Sequence, residues 1–425
     1  MSKREKSSRK AGTRSGTREG RGAPARRAAV APGGGDSSAI VPAGVARLVP
    51  MIGLGGSAGG IPALKAFFEA MPAKTGMTFV VVMHLSPEHE STLADLLARS
   101  ARIPIQQAED RMAVKPDHAY VIPPGKQLTA VDGRLRLSAL PREQGRRLAV
   151  DLFFRSLADT HGPRAAAIVL SGADGDGAIG LKRIKENGGL TIAQDPAEAE
   201  YASMPRAAIG TGMVDWVLTA AAMPARVLDY FRREKRIELP PAEEPPEGET
   251  PAAPTNGEST LNDILGLVRK QTGRDFSSYK RATILRRIAR RMQVNGVDDL
   301  RGYCTLLQEK PGEAGALISD LLISVTNFFR DRDAFEAVEK RVPELFAGKG
   351  RTDALRVWVP ACATGEEAYS LAMLLLEQAR KLDFPPGIQV FASDLDADAL
   401  QAARAGLYPS PSRPTSRKSG CGVFL

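Results

Sequence analysis

The chain has 425 residues, enough for roughly two to three domains of average length. Hydrophobic residues make up 43% and charged residues 25%, which excludes wholesale disorder, and no run of about 20 apolar residues is present to span a membrane. The net charge is +9, but residues 1–30 hold ten Lys/Arg against two Glu, so the rest of the chain is close to neutral.

Three cysteines lie far apart and all four histidines lie in the first half, so we expect neither a disulfide framework nor a metal site. The basic N-terminus is not followed by the apolar segment of an export signal, which predicts a cytoplasmic protein. A nucleic-acid or anionic-membrane tether is a weaker interpretation of this tail, because no aromatic residues are interleaved with the basic ones.

Three segments are too polar or too rich in proline to form a core. We predict a disordered basic tail at 1–47, a Pro/Glu-rich linker at 236–258 and an irregular tail at 410–425. Two folded bodies remain, 48–235 and 259–409.

The first body alternates strands with helices. Strands are predicted at 49–54, 77–83, 166–170 and 190–193, helices at 61–71, 150–157, 178–186 and 222–233, and a hairpin at Asp132-Gly133. This order predicts a doubly wound α/β fold, a mostly parallel sheet with helices on both faces.

The second body begins with helices and then changes to α/β. Helices are predicted at 261–272, 280–293, 300–308 and 314–323, followed by strand 355–359, helix 368–379, strand 388–392 and helix 397–405. We expect a helical subdomain at 259–345 and a Rossmann-like domain at 346–409.

Reactive side chains follow three strands of the first body. Ser57 lies in the glycine-rich turn after the first strand, His84 follows the second, and Asp174 and Asp176 follow the strand at 166–170. Because the carboxyl ends of parallel strands meet at one edge of the sheet, these side chains could form a Ser-His-Asp hydrolytic triad.

The segment Gly53–Ala58 has a second interpretation, because it also fits the dinucleotide fingerprint G-x-G-x-x-G/A. That fingerprint expects an acidic residue near the end of the next strand, to bind the ribose. His84-Leu85-Ser86-Pro87 occupies this place and the nearest acid is Glu88, which disfavours nucleotide binding.

Five ordered segments then resemble the catalytic domain of the chemotaxis receptor methylesterase (CheB type). They are MIGLGGSAGGIPAL, VVVMHLSPEHESTLADLL, AYVIPPGKQL, IVLSGADGDGAIGLKRIKENGG and TIAQDPAEAEYASMPRAAI, within 48–235. The resemblance implies hydrolysis of glutamate γ-methyl esters on receptor signalling helices, often with deamidation of glutamine, and no cofactor.

The same resemblance assigns roles residue by residue. It implies that Ser57 is the nucleophile, His84 the general base and acid, and Asp176, rather than Asp174, the triad acid. The backbone N–H of Ala173 takes the place of an oxyanion donor, and Met204 belongs to a segment beside the site.

In the second body, a small-residue turn at Ala363–Gly365 follows one strand and Asp394 follows the next, a pattern typical of a nucleoside site. An acid after a strand is also often only a helix cap. The segments LLISVTNFFRDRDAF, VWVPACATGEEAYSLAM and VFASDLDADALQAARAGLY resemble the chemotaxis receptor methyltransferase (CheR type). The resemblance implies S-adenosylmethionine as the cofactor. It also implies that the basic helix at 280–293 faces the receptor. The alternative is that the basic residues of this helix form a solvated charged face. The implied cofactor residues are Ser324, Thr326, Arg330, Glu367 and Asp394.

The resemblance to the methyltransferase ends near Tyr408. We therefore expect the methyltransferase domain to be truncated and to carry out no methyl transfer. The sequence therefore predicts a protein-glutamate methylesterase fused to an incomplete methyltransferase, acting on methyl-accepting receptors. The alternative is a non-catalytic scaffold that binds receptor helices.

Overall fold

The computed structural model describes residues 48–84, 92–131, 133–139, 148–241, 256–322, 326, 328–406 and 408. The predicted tails at 1–47 and 410–425 and most of the predicted linker lie outside these residues. Within the described part of the chain, no helix is both long and apolar enough to cross a bilayer.

The first body is built on a parallel sheet of seven strands. Its members are β1 Met51–Gly56, β2 Thr78–Met83, β3 Ile105–Gln107, β5 His118–Val121, β8 Ala165–Val169, β9 Leu190–Gln194 and β10 Trp216–Leu218. Their order in the sheet is β10-β9-β8-β1-β2-β5-β3. The chain passes from β1 to β2 on one side, whereas β8 pairs with the other side of β1. Parallel sheets bind ligands where the strand order reverses in this way, which here is the carboxyl end of β1.

Helices cover both faces of this sheet, as the buried, uniformly apolar strands require. They are α1 Gly60–Ala70, α2 Leu93–Ala98, α3 Ala149–His161, α4 Ala178–Glu186, α5 Ser203–Gly210 and α6 Met223–Arg233. One core contains Phe67 and Phe68 of α1, and the opposite core contains Phe153 and Phe154 of α3. The predicted doubly wound α/β class is confirmed.

A small antiparallel sheet of three strands contains the predicted hairpin. Its strands are β4 Met112–Ala113, β6 Lys126–Val131 and β7 Arg134–Ala139, in the order β4-β7-β6. Gly133 has a φ of 70°, a conformation that glycine adopts without strain, while Asp132 lies outside the described residues. The short elements α2, α5, β3, β4 and β10 were not predicted from the sequence.

The second body starts with four helices around an apolar core. They are α7 Asn256–Thr272, α8 Arg281–Asn295, α9 Leu300–Glu309 and α10 Glu313–Leu321. Helix α7 begins at Asn256, inside the segment 236–258 that we predicted as a linker. The centre of the four-helix core contains four fully buried side chains, Ile264, Ile288, Tyr303 and Leu317.

The remaining elements are α11 Arg332–Phe346, β11 Ala354–Pro360, α12 Glu366–Ala379, β12 Gly387–Ser393 and α13 Ala397–Ala405. Strands β11 and β12 pair in parallel, and Trp358 and Phe391, which are partners in this register, are both exposed. One face of the described two-stranded sheet is therefore bare.

Helix α8 packs against the first body through a buried ionic cluster. The Arg290 guanidinium lies 2.5 Å from Asp215 and 2.6 Å from Asp320, and it also donates to the carbonyl of Gly189 at 2.7 Å. Lys185 of α4 contacts the same two carboxylates at 2.5 and 3.0 Å. Burial alone would raise the pKa of Asp215, but the charges of Arg290 and Lys185 outweigh it and hold that pKa below its usual range.

This cluster limits which arginines of the basic helix could face a receptor. Arg290 and Arg291 are buried, and Arg291 forms a bidentate pair with Glu313 inside the helical body. Neither arginine is available to a receptor or to solvent, whereas Arg286 on the same helix is exposed.

We expect Arg290→Ala to lower the free energy of unfolding by about 3–5 kcal/mol, because it removes one of the two cations that contact both buried carboxylates, Arg290 and Lys185. Arg286→Ala, an exposed change on the same helix, should alter it by less than about 0.5 kcal/mol. Urea denaturation followed by circular dichroism measures both. Equal stability of the two variants would show that the cluster does not hold the bodies together.

Candidate functional site

The three predicted triad residues come together at the carboxyl edge of the main sheet. Ser57 follows β1, His84 follows β2, and Asp176 lies in the turn between β8 and α4. Because β1 is flanked by β2 and β8, the three chain segments converge at the point where the strand order reverses.

The turn that carries Ser57 is tied to the neighbouring turn after β8. The Ser57 amide donates to the carbonyl of Ser171 at 2.9 Å, and the Ser171 hydroxyl donates to the carbonyl of Ala58 at 2.9 Å. Gly59 follows with a φ of 70° and is the N-cap residue of α1. The Ser57 side chain is thus half-buried at the start of a helix, where amide dipoles favour negative charge.

The His84 imidazole joins Ser57 to Asp176. Ser57 Oγ lies 3.3 Å from His84 Nδ1, and His84 Nε2 lies 2.8 Å from Asp176 Oδ2. The imidazole is 8% exposed and the Asp176 side chain 1%. A hydroxyl, an imidazole and a buried carboxylate in this order are the groups that a serine hydrolase uses to activate its nucleophile.

Asp176 is fixed by the N-terminus of α3. Its two carboxylate oxygens accept the backbone N–H groups of Val150 and Asp151, each at 2.9 Å. The Asp151 carboxylate makes the reciprocal contact, because it accepts the backbone N–H of Gly180, in the first turn of α4, at 2.6 Å. The two helices therefore cap each other, and the triad carboxylate cannot rotate without breaking a helix cap.

Asp151 belongs to this site by its contacts and was not singled out from the sequence. Burial and the nearby charge of Asp176 raise its pKa to about 6. The only sequence feature that pointed to Asp151 was an acidic residue in the first turn of a predicted helix, 25 residues before Asp176 in the chain. Ser171 was missed as well, although it lies at the end of a buried strand like the other site residues.

A second carboxylate reaches the imidazole from the solvent side. Asp174 Oδ2 lies 3.3 Å from His84 Nδ1, and the Asp174 side chain is 49% exposed. Burial works to lower the pKa of His84, but hydrogen bonds to Asp174 and Asp176 and the charges of both carboxylates outweigh it and raise that pKa to about 9.

The predicted oxyanion donor, Ala173, is exposed in the turn after β8. Its amide donates to no acceptor among the described residues. The preceding Gly172 leaves room for Met204, since a Cβ at Gly172 would lie 1.9 Å from the Met204 sulfur and 3.1 Å from Ser57 Cβ. The segment containing Met204 therefore packs directly beside the Ser57 turn.

The glycines of the fingerprint-like segment serve helix packing. A Cβ at Gly53 would lie 2.8 Å from the Phe154 ring, and a Cβ at Gly55 would lie 2.2 Å from Val150. Helix α3 thus occupies the surface that a pyrophosphate would approach. This geometry argues against the dinucleotide interpretation.

A separate cavity of about 480 Å³ lies in the second body. Three of the predicted cofactor residues, Thr326, Arg330 and Glu367, line it together with Ala361 and Ala363 of the turn after β11. Its volume is within the range of small-molecule sites, and the donor set combines a cation, a carboxylate and a hydroxyl. These groups suit an amino-acid-bearing nucleoside.

The other two predicted cofactor residues differ in their placement. Asp394 accepts the backbone N–H groups of Ala363 at 2.7 Å and Asp396 at 2.8 Å, so its carboxylate shapes the turn beside the cavity and does not line the cavity. Ser324 lies outside the described residues. Within the described part of the chain, no cluster of three or more His, Cys, Asp or Glu side chains could hold a metal ion.

Three family models match successive parts of the chain. Residues 52–227 match the model of the CheB methylesterase, 259–322 that of the all-alpha domain of the CheR methyltransferase, and 324–415 that of its SAM binding domain.

Curated relatives agree with these matches. The chain is 37% identical over 167 residues to a putative protein-glutamate methylesterase/protein-glutamine glutaminase of Leptospira interrogans, covering 39% of this chain and 86% of the relative. It is 37% identical over 329 residues to an uncharacterized 104.1 kDa protein of Rhodobacter capsulatus, covering 74% of this chain but only 34% of that protein. The chain thus spans about a third of the length of the Rhodobacter protein.

One solved structure is similar to the first body. The catalytic domain of the CheB methylesterase of Thermotoga maritima matches with 28% sequence identity and a TM-score of 0.40, covering 42% of this chain and 97% of that domain.

Proposed function

This chain belongs to the CheB methylesterase family of carboxylic ester hydrolases and also carries CheR methyltransferase domains. From that premise we propose that it hydrolyses glutamate γ-methyl esters through Ser57, His84 and Asp176. The observation that carries the proposal is the continuous contact from Ser57 Oγ through the His84 imidazole to the Asp176 carboxylate.

Each residue has a defined part in this reaction. Ser57 Oγ attacks the ester carbonyl while His84 Nδ1 accepts its proton, and the N–H of Ala173 stabilises the oxyanion. His84 then protonates the departing methoxide, which leaves as methanol and leaves an acyl group on Ser57. Water, deprotonated by His84, releases the glutamate side chain and restores Ser57. Asp176 holds the imidazole orientation throughout, since the N-terminus of α3 fixes its carboxylate.

The substrates that we propose are methylated glutamates on the signalling helices of methyl-accepting chemotaxis receptors in the cytoplasm. Glutamine deamidation is a second reaction of the same site, because amide and ester carbonyls pass through similar tetrahedral intermediates. The two reactions differ in the leaving group, ammonia in place of methanol.

The test is methanol release from a methylated receptor cytoplasmic fragment incubated with the full chain. We expect methanol to appear in proportion to the glutamate γ-methyl esters lost, as measured by mass spectrometry of the receptor peptides. Stable binding of the receptor without any methanol release would instead support the non-catalytic scaffold.

For the second body we propose S-adenosylmethionine as the ligand of the cavity, held by Thr326, Arg330 and Glu367. When bound, this cofactor supplies a methyl group from its sulfonium. Arg330 is suited to its carboxylate and Glu367 to its cationic or hydroxyl groups.

We expect the affinity of this chain for S-adenosylmethionine to be weaker than millimolar and methyl transfer to be absent. Arg330, Val338, Ala361 and Glu367 are all exposed, so the described walls would leave much of the ligand in water, whereas tight sites enclose most of it. Isothermal titration calorimetry of the full chain measures the affinity. Micromolar binding would show that the cavity encloses the cofactor.

A further inference from the structure

The His84 imidazole lies between two carboxylates. On one side Nε2 contacts Asp176, and on the other Nδ1 faces both Ser57 Oγ and Asp174 Oδ2, each at 3.3 Å. A nucleophile and a carboxylate therefore compete for the same ring nitrogen.

The two contacts favour opposite protonation states of that nitrogen. Nδ1 can accept the Ser57 proton only when it carries a lone pair, whereas an ionised Asp174 can only accept, so its contact is favourable only when Nδ1 carries a proton. With Nε2–H already donated to Asp176, the pair of carboxylates stabilises the doubly protonated imidazolium. That form cannot act as the base.

The turn after β8 fixes the position of the Asp174 carboxylate. Its other oxygen, Oδ1, accepts the backbone N–H of Asp176 at 3.1 Å, so the two carboxylates are held on opposite sides of the ring by one short turn. The hydrogen bond from His84 lowers the pKa of Asp174, which keeps it ionised. Among the described residues, the charged groups that face His84 are Asp174 and Asp176, with Asp151 behind Asp176 and Arg155 near Asp151.

We propose that Asp174 is a restraining residue for the catalytic base: it holds His84 as the imidazolium and so limits ester hydrolysis at neutral pH. The proposal rests on the proposed function of the triad. Hydrolysis should rise with pH as His84 loses its proton, and it should rise at neutral pH when Asp174 is displaced or removed. Each unit by which the pKa of His84 falls increases the neutral, active fraction about tenfold, as long as that pKa stays above the pH of the assay.

The first test measures the protonation of His84 without using catalysis. The full chain, with its histidine rings labelled with ¹³C, is titrated by NMR as wild type, Asp174→Asn and Asp159→Asn, and His84→Gln assigns the signal. Asp159 is a matched control, because its carboxylate is 53% exposed and pairs with Arg183 away from the triad. We expect the midpoint of His84 near pH 9 in wild type and in Asp159→Asn, and at least about one pH unit lower in Asp174→Asn. An unchanged midpoint in Asp174→Asn would overturn the proposal.

The second test is the pH dependence of kcat/KM for methanol release. Asp174→Asn should shift the acid limb to lower pH by the same amount and raise kcat/KM at pH 7 about tenfold or more. A lower pKa of His84 with unchanged or reduced kcat/KM at pH 7 would overturn the restraining role. If the wild-type chain releases no methanol at any pH, the proposed function fails, while the NMR titration still decides whether Asp174 controls the protonation of His84.

Discussion

Ser57→Ala is expected to reduce the rate of methanol release by about 10⁶-fold, because the chain loses its nucleophile and neither His84 nor Asp176 can replace it. The substitution removes one hydroxyl from a half-buried turn. The backbone bonds that hold this turn, from the Ser57 amide to Ser171 and from the Ser171 hydroxyl to Ala58, do not involve the lost oxygen. Initial rates on a methylated receptor fragment measure the effect.

The matched control for this variant is Ser156→Ala, which also removes a hydroxyl but lies on α3, where Ser156 Oγ bonds the backbone of Ala130 and Phe153. Thermal melting should show Ser57→Ala folded like wild type. If Ser57→Ala kept most of its activity while His84→Ala lost it, the serine would not be the nucleophile and His84 would act on water directly.

Asp176→Asn is expected to lower kcat by about 10⁴-fold, because an amide no longer stabilises the imidazolium or selects the productive tautomer of His84. It also disturbs the cap of α3. Both Asp176 oxygens accept backbone N–H groups, and the amide nitrogen of asparagine would face one of them, so we expect a loss of about 1–3 kcal/mol in the free energy of unfolding.

The comparison variants separate these effects. Asp159→Asn carries the same chemical change on the exposed side of α3 and should leave the rate unchanged, whereas Asp174→Asn should not slow the reaction at neutral pH. Steady-state rates and urea denaturation of all three variants measure the result. Equal losses for Asp176→Asn and Asp174→Asn would mean that the wrong acid of this turn had been assigned to the triad.

Long, uniformly apolar segments allowed most of the first body to be predicted. Strands β1, β2 and β8 are buried on both faces, so their residues read as continuous apolar runs, and their carboxyl ends identify the edge where Ser57, His84 and Asp176 lie. Helix α11 was missed because Pro343 lies in its interior, where it removes a backbone donor and argues against a helix. Short elements such as β10, with three residues, carry too little periodicity to be recognised.

Features that depend on contacts between distant segments could not be read from the sequence. The reciprocal capping by Asp151 and Asp176 exists only because α3 packs beside α4. The burial of Arg290 requires acids from both bodies, Asp215 and Asp320, to meet around it. In sequence, Asp174 and Asp176 belong to one turn and cannot be ranked by spacing, whereas their two contacts with His84 are on opposite ring nitrogens.

Covalent labelling tests whether Ser57 is an activated nucleophile. The full chain is treated with a fluorophosphonate at pH 9, where a substantial part of His84 is neutral, and the modified peptide is identified by mass spectrometry. We expect one adduct on Ser57, absent after prior denaturation and strongly reduced in His84→Ala. Two results would contradict the assignment of Ser57 as the nucleophile. One is methanol release that continues undiminished while Ser57 stays unlabelled, and the other is labelling of another serine that abolishes methanol release.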